Sequence, residues 1–490
     1  MELKTKLLRT SMQNFEIIIG VENHVELKTN SKMFSPSKVS YGQTPNTLAN
    51  EIDLAYPGTL PSVNKKGVEL AILACNALNM QIDTLLTFDR KNYFYPDLTK
   101  GFQITQQFNP IGKNGSLEII LENGNKKVIE IERLHIEEDT AKQVHKDNLT
   151  YLDYNRSGVG LIEIVTKPVL RSAEEACLYV EKLREILLFL NVSDVKMNEG
   201  SLRTDLNISL RPYGSDKFSN KVEIKNLNSI SNIKKAVEFE INRQKEILLK
   251  NQIVEQQTRR FDDQTSSTIL MRSKIDSIDY RYFREPNIFP IQLDQKWVDQ
   301  IISNSPELAD QKRIRYVNEL GLTSEDANII LTSLEMTNFF EKTIKLTTNY
   351  NKVAKMLISE IQAKLNLENK TIDQIKLSPE NLASVINLID KNIISSKQTK
   401  VVMPIILDSN TETVEQIVER LNLKLITNKD EISKLLVNII NQNKELLNQY
   451  STRPERVIKT IMGQLMKQTN GNVDPEIANE IVIKEIEKNL

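Results

Sequence analysis

The sequence predicts an α+β protein, with an N-terminal mixed α/β domain followed by an all-helical domain and a small helical tail. Three observations predict it. Residues 201–211, SLRTDLNISLR, alternate strictly between apolar and polar, which is the period of a half-buried strand. Residues 15–27 alternate in the same way. Beyond about residue 304 the alternation fades, and helix caps with apolar stripes at helical spacing take over. A chain of 490 residues has room for two or three domains. The expected divisions are 1–303, 304–410 and 411–490, the second break at the turn-like Leu407-Asp-Ser-Asn410.

Composition narrows the class. The chain is 40% hydrophobic and 26% charged, which suits a soluble globular protein. A net charge of −1 excludes a uniformly basic surface but leaves room for a local basic patch for RNA. No apolar run approaches the roughly 20 residues of a membrane span. The two cysteines, Cys75 and Cys177, offer neither a disulfide framework nor a thiolate zinc site. A reducing, cytoplasmic compartment is expected. Met1 to Ser11 lack the apolar core of a signal peptide, and their deletion is expected to be silent.

Phe15 to Leu27 puts Ile17, Ile19, Val21, Val25 and Leu27 on one face and Glu16, Glu22, His24 and Glu26 on the other. Glu22 and His24 thus project together, about 7 Å apart. A Glu–His pair is ordinarily a surface pair, and metal binding would need further acids from elsewhere. Met33 to Pro61 is rich in turn signals, and Val68 to Leu78 is helical. Phe88 to Asp97 packs two cations and four aromatics into ten residues; it is either a core-edge turn or a loop whose Arg90 and Lys91 reach an anion.

Lys126 to Glu138 is a further strand, running into the acids Glu137, Glu138 and Asp139. Such a run repels itself unless it is solvated or holds a cation. Glu138 shares the parity of Leu134 and Ile136, so it is the acid aimed into the fold. Leu161 to Thr166 carries a single carboxylate, Glu163, among apolar residues, a costly placement unless the group is paired or ligating. Glu174 to Leu190 is an amphipathic helix. On strand 201–211 the polar face holds Arg203, Asp205, Asn207 and Arg211 in line. It is either a solvated outer strand or a site wall, with Asp205 for a cation and the arginines for phosphate oxygens. Lys221 to Asn226 is strand-like, with Glu223 and Lys225 on one face.

In the helical part, Thr323 caps a helix expected over Asn328 to Ile344, and Ser378-Pro379 opens another. Glu412 to Leu423 forms a separate helix. Pro454 to Lys467 and Ile477 to Ile486 form a terminal pair joined at Asn470-Gly471. Arg456, Lys459 and Lys467 fall on or near one side of the first of these, a small basic surface that suits RNA phosphates.

Five stretches carry a family resemblance: GVENHVEL (20–27), DRKNYFYPD (89–97), LHIEED (134–139), GSLRTDLNISL (200–210) and EIKNLN (223–228). Together, and in this order, they resemble the B subunit (GatB) of the aspartyl/glutamyl-tRNA amidotransferases, from about residue 13 to the C-terminus. The resemblance implies a heterotrimer in which this chain is joined by an amidase (the A subunit) and by a small third protein (the C subunit). It implies an ATP- and Mg²⁺-dependent carbon–nitrogen ligase that phosphorylates the side-chain carboxylate of Glu-tRNA(Gln) or Asp-tRNA(Asn). Ammonia from glutamine would then reach the acyl phosphate through an internal channel. Carried onto the matching motifs, Glu22, His24, Glu138, Glu163 and Asp205 would form the metal shell, with Glu22, His24 and Asp205 catalytic. Arg203, Arg90 and Lys91 are candidates for phosphate or substrate contacts.

Phosphoryl transfer wants such hard oxygen ligands and cations. Two departures bear on the resemblance. Asn23 stands where the family commonly has Val and needs a hydrogen-bond partner on the apolar face; Thr204 stands where Cys is frequent. No cysteine falls within residues 34–57, where some members carry a zinc knuckle, so no zinc is expected. A non-catalytic tRNA-binding scaffold and a free-standing metal-dependent kinase are the competing functions. The intact acids speak against the scaffold; co-purification with the amidase would separate the kinase.

Overall fold

A computed structural model describes residues 15–215, 219–273 and 279–489. Met1 to Ser11 lie outside the described residues. The chain forms two compact units, residues 1–309 and 310–490. Among the described residues no helix is long and apolar enough to cross a membrane.

In the first unit the elements run β1 (Phe15–Glu26), α1 (Lys65–Ala77), β2 (Gln81–Ile82), β3 (Leu85–Leu86), β4 (Asp89–Asn92), β5 (Phe102–Thr105), β6 (Gly112–Ile120), β7 (Lys126–Glu138), β8 (Lys142–Lys146), β9 (Leu149–Asp153), β10 (Gly160–Thr166) and α2 (Ala173–Phe189). They continue with β11 (Leu202–Pro212), β12 (Val222–Lys225), α3 (Ile230–Leu249), β13 (Gln257–Asp262), β14 (Ser267–Ser273), β15 (Phe283–Arg284), β16 (Ile291–Gln292) and α4 (Gln295–Ser303). Nine strands make one sheet in the order β14-β13-β12-β11-β1-β10-β7-β6-β2. Its pairings are antiparallel except β12–β13.

Alternation explains the two faces of this sheet. Val21, Val25, Ile162, Ile164, Leu134, Ile136, Leu202, Leu206 and Ile208 are all buried in one hydrophobic core. Helices α1, α2 and α3 pack on that side. Each is started by a side chain that accepts from the first-turn N–H groups: Asn64, Ser172 and Ser229 respectively. The opposite face is polar across its central strands. A second, three-stranded sheet, β15-β4-β5, meets β7 through β5. The segment around Arg90, expected as a turn or a loop, is therefore a strand, and its neighbouring residues point in opposite directions.

The second unit is helical: α5 (Ala309–Asn318), α6 (Ser324–Ile330), α7 (Leu334–Thr343), α8 (Tyr350–Met356), α9 (Gln362–Glu368), α10 (Pro379–Asp390), α11 (Ser396–Asp408), α12 (Val414–Arg420), α13 (Lys429–Gln442), α14 (Lys444–Leu447), α15 (Pro454–Gln468) and α16 (Pro475–Lys488). The helix expected over Asn328 to Ile344 is two, because Ser333 accepts from the Met336 N–H and starts a second one. Ser378 and Pro379 open α10 as expected.

The two units divide at residue 309. Past 410, α12 packs on α10 and α11, so its buried Val414, Ile417 and Val418 belong with the preceding helices. A separate cluster of Ile432, Leu436, Ile440, Val457, Ile461, Leu465, Val482 and Ile486 forms the core of the tail. Asn470 and Gly471, both with positive φ, make the turn between the last two helices.

Candidate functional site

Register brings the polar residues together. His24 on β1 lies opposite Glu163 on β10 and Arg203 on β11; Glu163 in turn lies opposite His135 on β7. Directly opposed residues of antiparallel strands share a face, so His24, Arg203, Glu163 and His135 project to one side. Glu137, two residues on from His135, joins them. His24 Nε2 is 3.5 Å from Glu163 Oε2 and 3.7 Å from Glu137 Oε1. His135 Nε2 is 3.0 Å from Glu163 Oε2 and 3.5 Å from Glu137 Oε2.

A cavity of about 180 Å³ opens here, lined by His24, Glu137 and Arg203 of the large sheet with Asp139 just past β7, and by Lys91 and Gln103 of the small sheet with Tyr93 just past β4. Arg203 donates from Nη2 to Asp139 at 2.8 Å, while its Nε is buried without a partner.

The electrostatics follow from burial and charge. Burial alone would depress both imidazoles, but Glu163 and Glu137 overcome it, raising His24 above its ordinary value and His135 to about 9. Against its own burial, Glu163 is held well below the usual carboxylate range by His135 and His24. Glu22 is pushed up by burial and by the charges of Glu163 and Asp205. Glu26, half-buried and beside Asp139, is raised to about 7 by loss of solvent and by the Asp139 charge.

His24, Glu137 and Glu163 each offer one ligand atom, and the three atoms lie within 4.8 Å of one another. Two hard carboxylate oxygens and one imidazole nitrogen, converging from three adjacent strands, fit a divalent cation that keeps its other positions for water or phosphate oxygens. A ligating imidazole must be neutral, so protonation of His24 would compete with such an ion.

Of the residues expected in the metal shell, His24 and Glu163 meet here. Glu138 does not, because neighbouring strand residues face opposite ways. Its carboxylate pairs with Lys100 and accepts from the Ile104 N–H at 3.0 Å. It lines a second cavity of about 250 Å³, together with Asp53, Arg90, Lys100 and Glu285. Its neighbour Glu137 takes the place on the polar face. Glu22 and Asp205 lie opposite each other one step along the same face. Glu22 accepts from Asn207 Nδ2 at 2.8 Å, and Asp205 is ion-paired to Lys225.

Lys91 lines the candidate site. Arg90, its neighbour, turns away into a bidentate pair with Glu285, at 2.6 and 3.1 Å, and stacks on Phe102. Sequence reasoning passed over His135, Glu137 and Asp139. The signal was the second parity of LHIEED, where His135, Glu137 and Asp139 alternate as Glu22 and His24 do.

The two departures in the family motifs answer one another. Asn23 and Thr204 are register partners, and Asn23 Nδ2 donates to Thr204 Oγ1 at 2.9 Å on the apolar face.

The chain matches two family models, one described as the GatB/GatE catalytic domain over residues 17–299 and one as the GatB domain over residues 338–486. It is 95% identical over 479 residues to a Mycoplasma capricolum protein named as the B subunit of aspartyl/glutamyl-tRNA(Asn/Gln) amidotransferase, covering 98% of this chain and 100% of that protein. A Mesoplasma florum protein of the same name is 67% identical over 98% of this chain and 100% of its own length. One from Staphylococcus aureus strain Newman is 45% identical over 97% of this chain and 100% of its own. Strands, register and site residues all fall within these matches, and the chain belongs to the family of aspartyl/glutamyl-tRNA(Asn/Gln) amidotransferase B subunits.

Proposed function

We propose that this chain activates the side-chain carboxylate of Glu-tRNA(Gln), Asp-tRNA(Asn) or both, at the cavity between the two sheets of the first unit. The carboxylate oxygen attacks the γ-phosphorus of ATP and ADP leaves. Ammonia released from glutamine in a companion amidase, held in a heterotrimer with a small third protein, then attacks the acyl carbon and phosphate leaves. The observation that carries this reading is the convergence of His24, Glu137 and Glu163 on one point, with Lys91 and Arg203 on the walls of the same cavity.

His24, Glu137 and Glu163 would hold Mg²⁺, with Glu22 and Asp205 adding negative charge beside it. A bound Mg²⁺ supplies charge neutralisation for the phosphates. Lys91 and Arg203 orient the anionic groups of ATP or of the aminoacyl side chain, in keeping with the dominance of positioning and charge stabilisation in phosphoryl transfer. The exposed Arg456, Lys459 and Lys467 of α15 offer tRNA phosphates a contact surface.

The test is to reconstitute the chain with the amidase and the small third protein and supply each misacylated tRNA with ATP, Mg²⁺ and glutamine. Amide formation that requires ATP and is abolished by Glu163→Gln is the expected result. A complex that assembles and binds tRNA but forms no amide would leave the chain a scaffold.

A further inference from the structure

Most cations of the first unit around the two cavities are committed to an acid. Arg203 and Arg156 meet Asp139, Lys225 meets Asp205, Lys100 meets Glu138, Arg90 meets Glu285, and Lys32 meets Asp53. Lys91 is different. Its side chain lines the cavity beside His24 and Glu137, yet forms no ion pair or hydrogen bond with any described residue. Its ammonium rests instead on aromatic rings, 5.0 Å from the centroid of Tyr280 and 6.0 Å from that of Tyr93. An ammonium held by ring faces keeps its hydrogen-bond donors available, because the attraction is to the ring quadrupole and not to an acceptor atom.

The ring that holds Lys91 is itself built in. Tyr280 packs edge-on against Tyr93 at 5.9 Å and tilted against Tyr282 at 5.8 Å. Its backbone is fixed to the end of β4. The Asn92 N–H donates to Tyr280 O at 2.9 Å, and the Asn92 side-chain amide donates to Arg281 O at 2.7 Å. Arg281, between the two tyrosines, adopts the left-handed conformation at φ 45°, and its N–H donates to Asp279 Oδ1 at 2.9 Å. A non-glycine residue in that region is held there by its surroundings at some cost. The arm then joins β15, which pairs with β4 at Arg90 and Asp89. A segment nearly 190 residues distant in the chain is thus anchored on the strand that carries Lys91. The charges of Glu137 and Glu163 oppose the effect of burial and keep the Lys91 ammonium protonated.

We propose that Tyr280, backed by Tyr282, is a positioning residue that holds the Lys91 ammonium over the carboxylate cavity as the receptor for an anionic oxygen of the substrate. This rests on the proposed phosphorylation of the aminoacyl side chain. The oxygen belongs either to an ATP phosphate or to that side-chain carboxylate.

The experiment uses the reconstituted complex and the variants Lys91→Ala, Tyr280→Phe, Tyr280→Leu and the double variant Lys91→Ala/Tyr280→Leu. Initial rates of amide formation are measured against ATP and, separately, against misacylated tRNA. Lys91→Ala is expected to lower kcat/KM at least about tenfold. Tyr280→Leu should lower it about 3- to 30-fold, the range of a partly desolvated cation–π contact. Tyr280→Phe, which keeps the ring, should stay within about twofold. In the Lys91→Ala background Tyr280→Leu should add nothing. A rise in KM for ATP would assign the oxygen to the phosphate; a rise in KM for the misacylated tRNA would assign it to the carboxylate.

Equal losses from Tyr280→Leu with and without Lys91 would overturn the proposal, as would an inert Lys91→Ala or a Tyr280→Phe as damaged as the leucine variant. Should Tyr280→Leu fail to assemble, Tyr282→Leu tests the same support from one ring further out. Its loss must vanish in the Lys91→Ala background, and an additive loss refutes the idea. A wild-type complex that makes no amide with ATP would refute the underlying function instead, so the two failures are distinguishable.

Discussion

Exchanging one carboxylate for an amide at either of two adjacent positions separates the candidate metal site from the second cavity. Glu137 Oε1 lies 3.7 Å from His24 Nε2, within the group that also contains Glu163. Glu138, one residue on, is spent on Lys100 and the Ile104 N–H. Glu137→Gln therefore replaces one of two carboxylate ligands by a neutral, weaker amide oxygen and removes one of two negative charges from the three-residue group. A unit-charge contact near 4 Å is worth about 4 kcal/mol at an effective dielectric of 20, and more for a divalent ion, but dehydration of the ion offsets most of it. Removing even an outer partner of a metal ligand weakens binding about 10- to 100-fold, or about 1.4 to 2.8 kcal/mol. At least that much is expected for Glu137→Gln, read as the Mg²⁺ concentration giving half-maximal amide formation in the reconstituted complex. Glu138→Gln should leave that midpoint within about twofold, whatever it does to the maximal rate. A midpoint displaced by Glu138→Gln and unmoved by Glu137→Gln would refute the placement of the site on the His135–Glu137 face.

Four further outcomes follow from particular contacts. Asp205→Asn should reduce amide formation at saturating ATP by about tenfold or more in a complex that still assembles, because Lys225 keeps only Glu223 as an acidic partner and the site loses one of its negative charges; an undiminished rate would remove Asp205 from the site. Thr204→Val should cost about 1–3 kcal/mol by stranding the buried Asn23 amide, while the double variant Asn23→Val/Thr204→Val should recover most of that loss in denaturant unfolding. Glu341, against the opposing effect of its burial, is held below its ordinary value by the Tyr316 hydroxyl, Lys312 and Arg315. Because its folded value is depressed, its stabilisation is present above about 4.5 and is lost as pH falls through the folded value. Glu341→Gln should thus lower the melting temperature near neutral pH, with the gap to wild type closing in acid. Replacing Arg456, Lys459 and Lys467 of α15 with alanine should flatten the dependence of log affinity for tRNA on log salt by about 2 to 3 in the intact complex; an unchanged slope would mean that these side chains are merely solvated.

Much of this molecule is legible in its sequence. Strict alternation along Leu202–Pro212 and Phe15–Glu26 marks both strands and the residues of each that share a side, because side-chain direction in a strand depends only on parity. Ser378-Pro379 and Asp474-Pro475 mark helix starts, because capping is local chemistry. What parity cannot say is which side of the sheet becomes the site. Glu138 points with Leu134 and Ile136, as its spacing required, but His24 and Glu163 project from the other face, where Glu137 is the acid. Nor does spacing reveal that Arg90 and Lys91 lie on a strand of a second sheet, so that one cation meets Glu285 and the other the cavity. Asn23 posed a local question, a buried amide in need of a partner. Only the β1–β11 register, set by packing between strands 181 residues apart, supplied Thr204 as the answer. Local patterns determine what each segment can be; long-range register determines which side chains meet, because it is decided by the burial of whole faces and not by any one segment.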